Sequence, residues 1–89
     1  MVTLYRTMPV VLRLKGYKFW FYEADLDEPP HVHASRQGRQ AKFWLRPVRA
    51  ARAGRFRPVD LREVERILNA NLDFLLSAWE REQRKRVDR

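Results

Sequence analysis

Residues 31–45 constrain the fold more than any other part of this chain. His31-Val32-His33-Ala34-Ser35-Arg36 and Arg39-Gln40-Ala41-Lys42-Phe43-Trp44-Leu45 flank Gln37-Gly38, and a glycine in a two-residue connection suits the left-handed backbone of a tight hairpin turn. Pairing across that turn sets Arg36 opposite Arg39, Ser35 opposite Gln40, His33 opposite Lys42 and His31 opposite Trp44. Successive side chains of a strand point to opposite faces, so Val32, Ala34, Ala41, Phe43 and Leu45 line an apolar face. The polar candidates, with His31, His33 and Lys42 foremost, are left to the other. A slip of one residue would carry both histidines inside, so the apolar pattern itself selects the register.

The remaining segments follow from the same reasoning. Val10–Leu14 and Tyr17–Tyr22 are β-prone and flank the turn signal Lys15-Gly16, which predicts a second hairpin with Tyr17, Phe19 and Phe21 on its core face. Glu23–Glu28 is an acidic loop, and Pro29-Pro30 imposes an extended entry into the histidine strand. Pro47–Gly54 is an Arg/Ala connection read as a short helical turn, with Arg46, Arg49, Arg52 and Arg55 along one side. Pro58 and Asp60 then open a helical pattern in which Leu61, Val64, Leu68, Leu72, Leu75 and Trp79 recur at spacings of three and four, with Ile67, Phe74 and Leu76 widening the stripe. The expected fold is α+β: a four-stranded antiparallel sheet in two hairpins, one face covered by a long C-terminal helix. The helix becomes a pair if Asn69-Ala70-Asn71 interrupts it. A chain of 89 residues makes this one domain. Residues 1–7 read as an N-terminal extension, with Met1 or Met8 as the start, and residues 81–89 as a charged tail that frays.

Composition narrows the function. The chain has no cysteine, which removes disulfides, thiolate metal sites and cysteine nucleophiles, and suits a cytoplasmic location. No apolar run approaches the roughly 20 residues that span a bilayer, and no secretory signal is recognisable. The net charge is +8, and its distribution is uneven. No acidic residue lies between Glu28 and Asp60, whereas Arg36, Arg39, Lys42, Arg46, Arg49, Arg52, Arg55 and Arg57 all do. That stretch favours a polyanion, either RNA or a small acidic protein; the plain alternative is a solvated basic surface. Arg36, Arg39, Arg46, Arg49, Arg52 and Arg55 are the candidate binding cations, and Trp44 the aromatic among them best placed to stack on a base.

His31 and His33 are the only histidines, and imidazole is the side chain most readily used as acid, base or metal ligand near neutral pH. Three readings stand side by side. As a metal-free ribonuclease, the two would act as general base and general acid, with Lys42 or Arg36 stabilising the developing phosphorane charge. As metal ligands they need a third group, for which Glu28, Asp25 and Asp27 are the nearby carboxylates; Lys42 opposes a cation there, so no metal or cofactor is assigned. As structural groups they would hydrogen-bond the acidic loop and fix the Pro-Pro turn against the sheet. Exposure of both beside Lys42 in a concave site favours the nuclease. Burial of both with hydrogen bonds to the acidic loop excludes nuclease and metal alike.

Met8-Pro9-Val10-Val11-Leu12, Gly16-Tyr17-Lys18-Phe19, Glu28-Pro29-Pro30-His31-Val32-His33, Ala41-Lys42-Phe43-Trp44-Leu45, Leu61–Ile67 and Ala78-Trp79 together resemble a family of small prokaryotic proteins, domain-of-unknown-function family 4160. The resemblance covers residues 8 to about 80. It implies no assigned activity for the histidines, but it does imply a toxin–antitoxin-like pair of small proteins. The arginines at 49, 52 and 55 depart from the family's mixed residues, as does Arg57 from its usual helix-capping Ser or Thr. The expectation is therefore a basic cytoplasmic interaction module engaging an acidic partner or RNA. Its alternatives are the ribonuclease of His31, His33 and Lys42, or a purely structural or homodimerising domain.

Overall fold

The computed structural model describes residues 10–87. The chain runs through β1 (Leu12–Leu14), β2 (Tyr17–Trp20), a 3-10 turn (Glu23–Asp27), β3 (His31–Arg36), β4 (Arg39–Leu45), β5 (Val48–Arg52), α1 (Pro58–Ala70) and α2 (Leu72–Val87). The strands form one antiparallel sheet in the order β1-β2-β3-β4-β5. The β3–β4 register is the expected one, with His31 opposite Trp44, His33 opposite Lys42 and Arg36 opposite Arg39. Gln37 and Gly38 both take positive φ in the connecting turn, as a tight two-residue hairpin requires.

The sheet has five strands, where four were expected. The segment read as a helical turn is β5, paired with β4. Arginine and alanine suit a helix in isolation, but the free edge of β4 offers backbone partners that fix the segment as a strand. The pairing is interrupted once. Trp44 faces Arg49 and Phe43 faces Ala50, yet Lys42 faces Arg52, leaving Ala51 as an inserted residue. In a regular strand, residues three apart point to opposite faces. The bulge brings Arg49 and Arg52 to the same face, the one that carries His33, Lys42 and Trp44.

The helices cover the other face. Val64, Ile67 and Leu68 of α1 and Leu75, Ala78 and Trp79 of α2 join Tyr17, Phe19, Phe21, Val32, Ala34, Ala41, Phe43 and Leu45 in one buried core. The helix pair is realised: the Asn71 side chain donates to the Ile67 carbonyl at 2.8 Å, closing the end of α1 with a local bond that competes with helix continuation. One stripe residue falls outside the core. Phe74, just after this break, is half exposed, because the second helix sets off with its own inner face of Leu75, Ala78 and Trp79. The charged stretch from Arg81 is helical as far as Val87; residues 88 and 89 and the expected extension 1–7 lie outside the described residues.

The start of α1 is secured without a capping Ser. Asp60 reaches back to accept the Arg57 backbone N–H at 3.1 Å, the reciprocal half of a capping box, and pairs with the guanidinium groups of Arg57 at 3.1 Å and Arg36 at 3.0 Å. The Arg57 side-chain bond, then its backbone N–H, hold the Asp60 carboxyl below the usual carboxylate range. A depressed folded-state pKa contributes stability that is present above the unfolded value and lost as pH falls through the folded one. Asp60→Asn is accordingly expected to lower the urea midpoint near neutral pH, with the gap to wild type closing below about pH 4. Urea unfolding at several pH values measures this; a gap that stays constant down to acid pH contradicts it.

A histidine cluster under the acidic turn

The link between β2 and β3 turns at the edge of the core, with Leu26 against α2 and Asp25 against the histidines of β3. Phe21 and Leu26 are both buried and pin it at two points, and Gln83 of α2 donates to the Leu26 carbonyl at 2.9 Å. Within the link, the Tyr22 N–H donates to Asp25 Oδ2 at 3.1 Å and the Asp25 N–H to the Tyr22 carbonyl at 3.0 Å. These bonds bring the Asp25 carboxylate onto the two histidines of β3.

His33 Nε2 lies 2.7 Å from Asp25 Oδ2. His31 Nδ1 lies 3.0 Å from the Pro29 carbonyl, which can only accept, so Nδ1 carries a proton and donates it. Its Nε2 is 3.3 Å from Asp25 Oδ2 yet has no hydrogen-bond partner. The His31 side chain is fully buried, and His33 and Asp25 retain 12% and 16% exposure. Aromatic rings hold both imidazoles in place. Trp20 stacks on His33 with centroids 5.8 Å apart, Tyr22 meets it edge-on at 4.8 Å, and Trp44 and Trp79 approach His31 at 5.6 and 5.2 Å. Burial lowers the His33 pKa against the opposing pull of Asp25. Burial also works to raise Asp25, but the bonds from His33 and the Tyr22 N–H outweigh it and leave that carboxyl below its ordinary value.

The hydrogen bonds of the structural reading are thus present, from His33 to Asp25 and from His31 to the Pro29 carbonyl. Lys42 stands opposite His33 as expected, but its ammonium pairs with Glu28 Oε1 at 3.0 Å and lies 4.8 Å from the Trp44 ring centroid. An acid–base nuclease needs both imidazoles within reach of a phosphodiester, and the burial of His31 counts against it. The expectation that burial also excludes a metal is too strict, because an ion needs far less access than a phosphodiester. Arg36 is displaced from the role considered for it. Strand alternation places it with Val32 and Ala34 on the helix side, where it pairs with Asp60 and Glu63 and lies 4.1 Å from the Tyr17 ring centroid. Burial, reinforced by the Tyr17 hydroxyl's bond to Glu63, pushes the neighbouring phenol up to about 12.

The model of a domain of unknown function (DUF4160) matches residues 16–80. The chain belongs to that family. The matched span contains Pro29-Pro30-His31-Val32-His33 and every residue of the cluster. No curated protein and no solved structure matches the chain.

In this DUF4160 chain the candidate cations separate by face. Arg39, opposite Arg36, belongs to the helix side of the sheet. Arg46 lies beyond the end of β4 and pairs with Glu80 of α2 at 3.3 Å, and Arg55 is exposed after β5. Arg49 and Arg52 are the two that share the open face with Lys42 and Trp44. The pairings Leu14–Tyr17 and Lys18–Ser35 add Arg13 and Lys18 to that face, which sequence reasoning did not single out. Strand parity alone would have found them. Two shallow hollows of about 270 Å³ open there, one against Trp44, Arg46 and Arg49, the other against Lys18, Trp20 and Tyr22. A cavity of about 360 Å³ at the β1–β2 turn is lined by Arg13, Lys15 and Lys18 among others and contains no histidine or carboxylate. No described helix is long and apolar enough to cross a membrane.

Proposed function

We propose that this domain is the interaction module of a toxin–antitoxin-like pair of small proteins, and that its open sheet face binds single-stranded RNA. The observation that carries the reading is the composition of that face. Three rows cross the sheet: Arg13, Lys18, Ser35 and Gln40; then Trp20, His33, Lys42 and Arg52; then His31, Trp44 and Arg49. Cations on this face thus surround the partly exposed Trp44, while Trp20 and His31 in the same rows are buried. Single-stranded RNA is recognised by this combination, with phosphates drawn to the cations and unstacked bases laid on the rings. Arg49 and Arg52 make no ion pair with a described residue, so both are available to phosphate. An acidic protein would answer the charge but has less use for Trp44 beside two arginines. The family resemblance supports the two-protein setting and leaves that protein as the competing occupant.

Anisotropy titration of a labelled single-stranded RNA, set against an acidic polypeptide of similar charge, tests this. The Arg49→Ala, Arg52→Ala double variant is expected to weaken RNA binding and to reduce the slope of log affinity against log salt by about 1.4, near 0.7 for each phosphate no longer neutralised. Trp44→Ala is expected to cost about 1–3 kcal/mol of RNA affinity at fixed salt. RNA binding indifferent to all three substitutions, or tight binding of the polypeptide alone, rejects the RNA reading.

A further inference from the structure

We propose that Asp25, His31 and His33 form a two-histidine, one-carboxylate site for a divalent first-row transition-metal ion that imidazole favours, such as Zn²⁺. The inference is independent of the RNA reading. One ligand atom from each of the three residues lies within 4.8 Å of the other two. Ligands held about 2.0–2.1 Å from an ion stand about 3.0–3.4 Å apart, and the two histidine nitrogens are 3.3 and 2.7 Å from Asp25 Oδ2. The remaining spacing, between the two histidine nitrogens, is bounded at 4.8 Å, so the imidazoles must turn toward each other for both to reach one ion.

The decisive group is His31. With Nδ1 donating to the Pro29 carbonyl, the form of the ring that can bind a metal has an unprotonated Nε2, whose lone pair is turned toward a carboxylate oxygen. Two electron-rich atoms thus face each other in a buried position, and Nε2 has no hydrogen-bond partner. A buried polar atom left without a partner is costly, and an ion between the two atoms removes that cost. A backbone carbonyl on the opposite ring nitrogen is also the usual outer support of a metal-bound histidine, fixing both tautomer and orientation. His33 joins by carrying its proton on Nδ1, exchanging its hydrogen bond with Asp25 for a bond to the ion. Lys42 opposes a cation less than its position suggests, because Glu28 neutralises it at 3.0 Å. Three protein ligands leave a coordination position for water on the side where Asp25 and His33 reach solvent.

Each of the chain's three tryptophans contacts one of the histidine rings, Trp20 that of His33 and Trp44 and Trp79 that of His31, which supplies the readout. Tag-free full-length protein is stripped with EDTA, then titrated with Zn²⁺ by calorimetry and with Co²⁺ by absorption and tryptophan fluorescence. One Zn²⁺ is expected per chain, and Co²⁺ is expected to give a visible absorption band and quench the tryptophans, both reversed by EDTA. Asp25→Asn and His33→Gln, checked for folding by circular dichroism, are each expected to weaken Zn²⁺ binding by at least about 100-fold, since even outer-shell partners are worth 10–100-fold. If one variant fails to fold, the other decides together with wild-type cobalt quenching. Absence of binding to the wild type overturns the proposal. So does binding that folded variants leave unchanged, which would place the ion elsewhere.

Discussion

Trp79→Ala is expected to cost about 3–5 kcal/mol of folding stability, the range for removing a large aromatic from a packed core. Trp79 is essentially buried, meets Phe21 edge-on at 5.1 Å and packs against His31 at 5.2 Å. It therefore joins α2, the end of β2 and the start of β3 at a single point. At about 0.05–0.15 kcal/mol per residue, a domain of this length has about 4–13 kcal/mol in all, so the loss takes roughly a quarter of the total at the top of that range and most of it at the bottom. Trp79→Phe separates bulk from polarity. The indole N–H is buried without a partner, and deleting it removes a cost along with the packing. Urea unfolding of the three proteins should rank wild type first, Trp79→Phe near it and Trp79→Ala far below. A loss under about 1 kcal/mol for alanine would mean that the core closes over the gap, contrary to this account.

Gly54→Ala is the second large effect, on the order of 3 kcal/mol or more, because backbone strain and a backbone clash coincide. Gly54 has φ +60°, and a Cβ there would overlap the carbonyl oxygen of Gln40. The obstacle is backbone, and Gln40 is held by its pairing with Ser35 of β3, so relief requires β4 or the turn carrying Gly54 to shift. Gly38 provides the control. Its φ is +78°, but nothing lies within 4 Å of the position a Cβ would take, so Gly38→Ala should cost only about 1–2 kcal/mol for the left-handed conformation. Chemical denaturation of both variants measures the difference. Equal losses would show that the Gln40 contact carries no weight.

The β3–β4 hairpin was legible because three signals agree there: apolar alternation, a glycine-bearing turn and the histidine positions. The strand at Val48–Arg52 was not. Its arginines recur every three residues, a spacing that also describes a helical turn, and the side of the sheet on which they emerge depends on Ala51 being extruded by pairing with β4. Nothing local encodes that. The histidine pair could be located from the chain, but its third member could not be chosen among Asp25, Asp27 and Glu28, because the path of the turn depends on burial far away in sequence. One clue was available: Leu26 is an isolated apolar residue amid acidic ones, and such a residue marks a loop that docks. Docking Leu26 against the core carries Asp25, its neighbour, to the histidines of β3. The face of Arg36 was readable from parity, and its distance from the histidines follows from counting.

Strand order equal to chain order also has a kinetic meaning. Each strand pairs with the next one along the chain, so the sheet can grow from the β3–β4 hairpin outward by closing short loops only, and the entropic barrier to each step stays small. The slow, long-range events are the arrivals of α1 and α2, which connect residues near the end of the chain to its beginning. Asp25 reaches the histidines on a link that α2 fastens through Gln83 and Leu26. The expected order therefore arranges the imidazoles with the hairpin and brings their carboxylate to them when α2 docks, which φ-values for Gln83→Ala against hairpin variants would check.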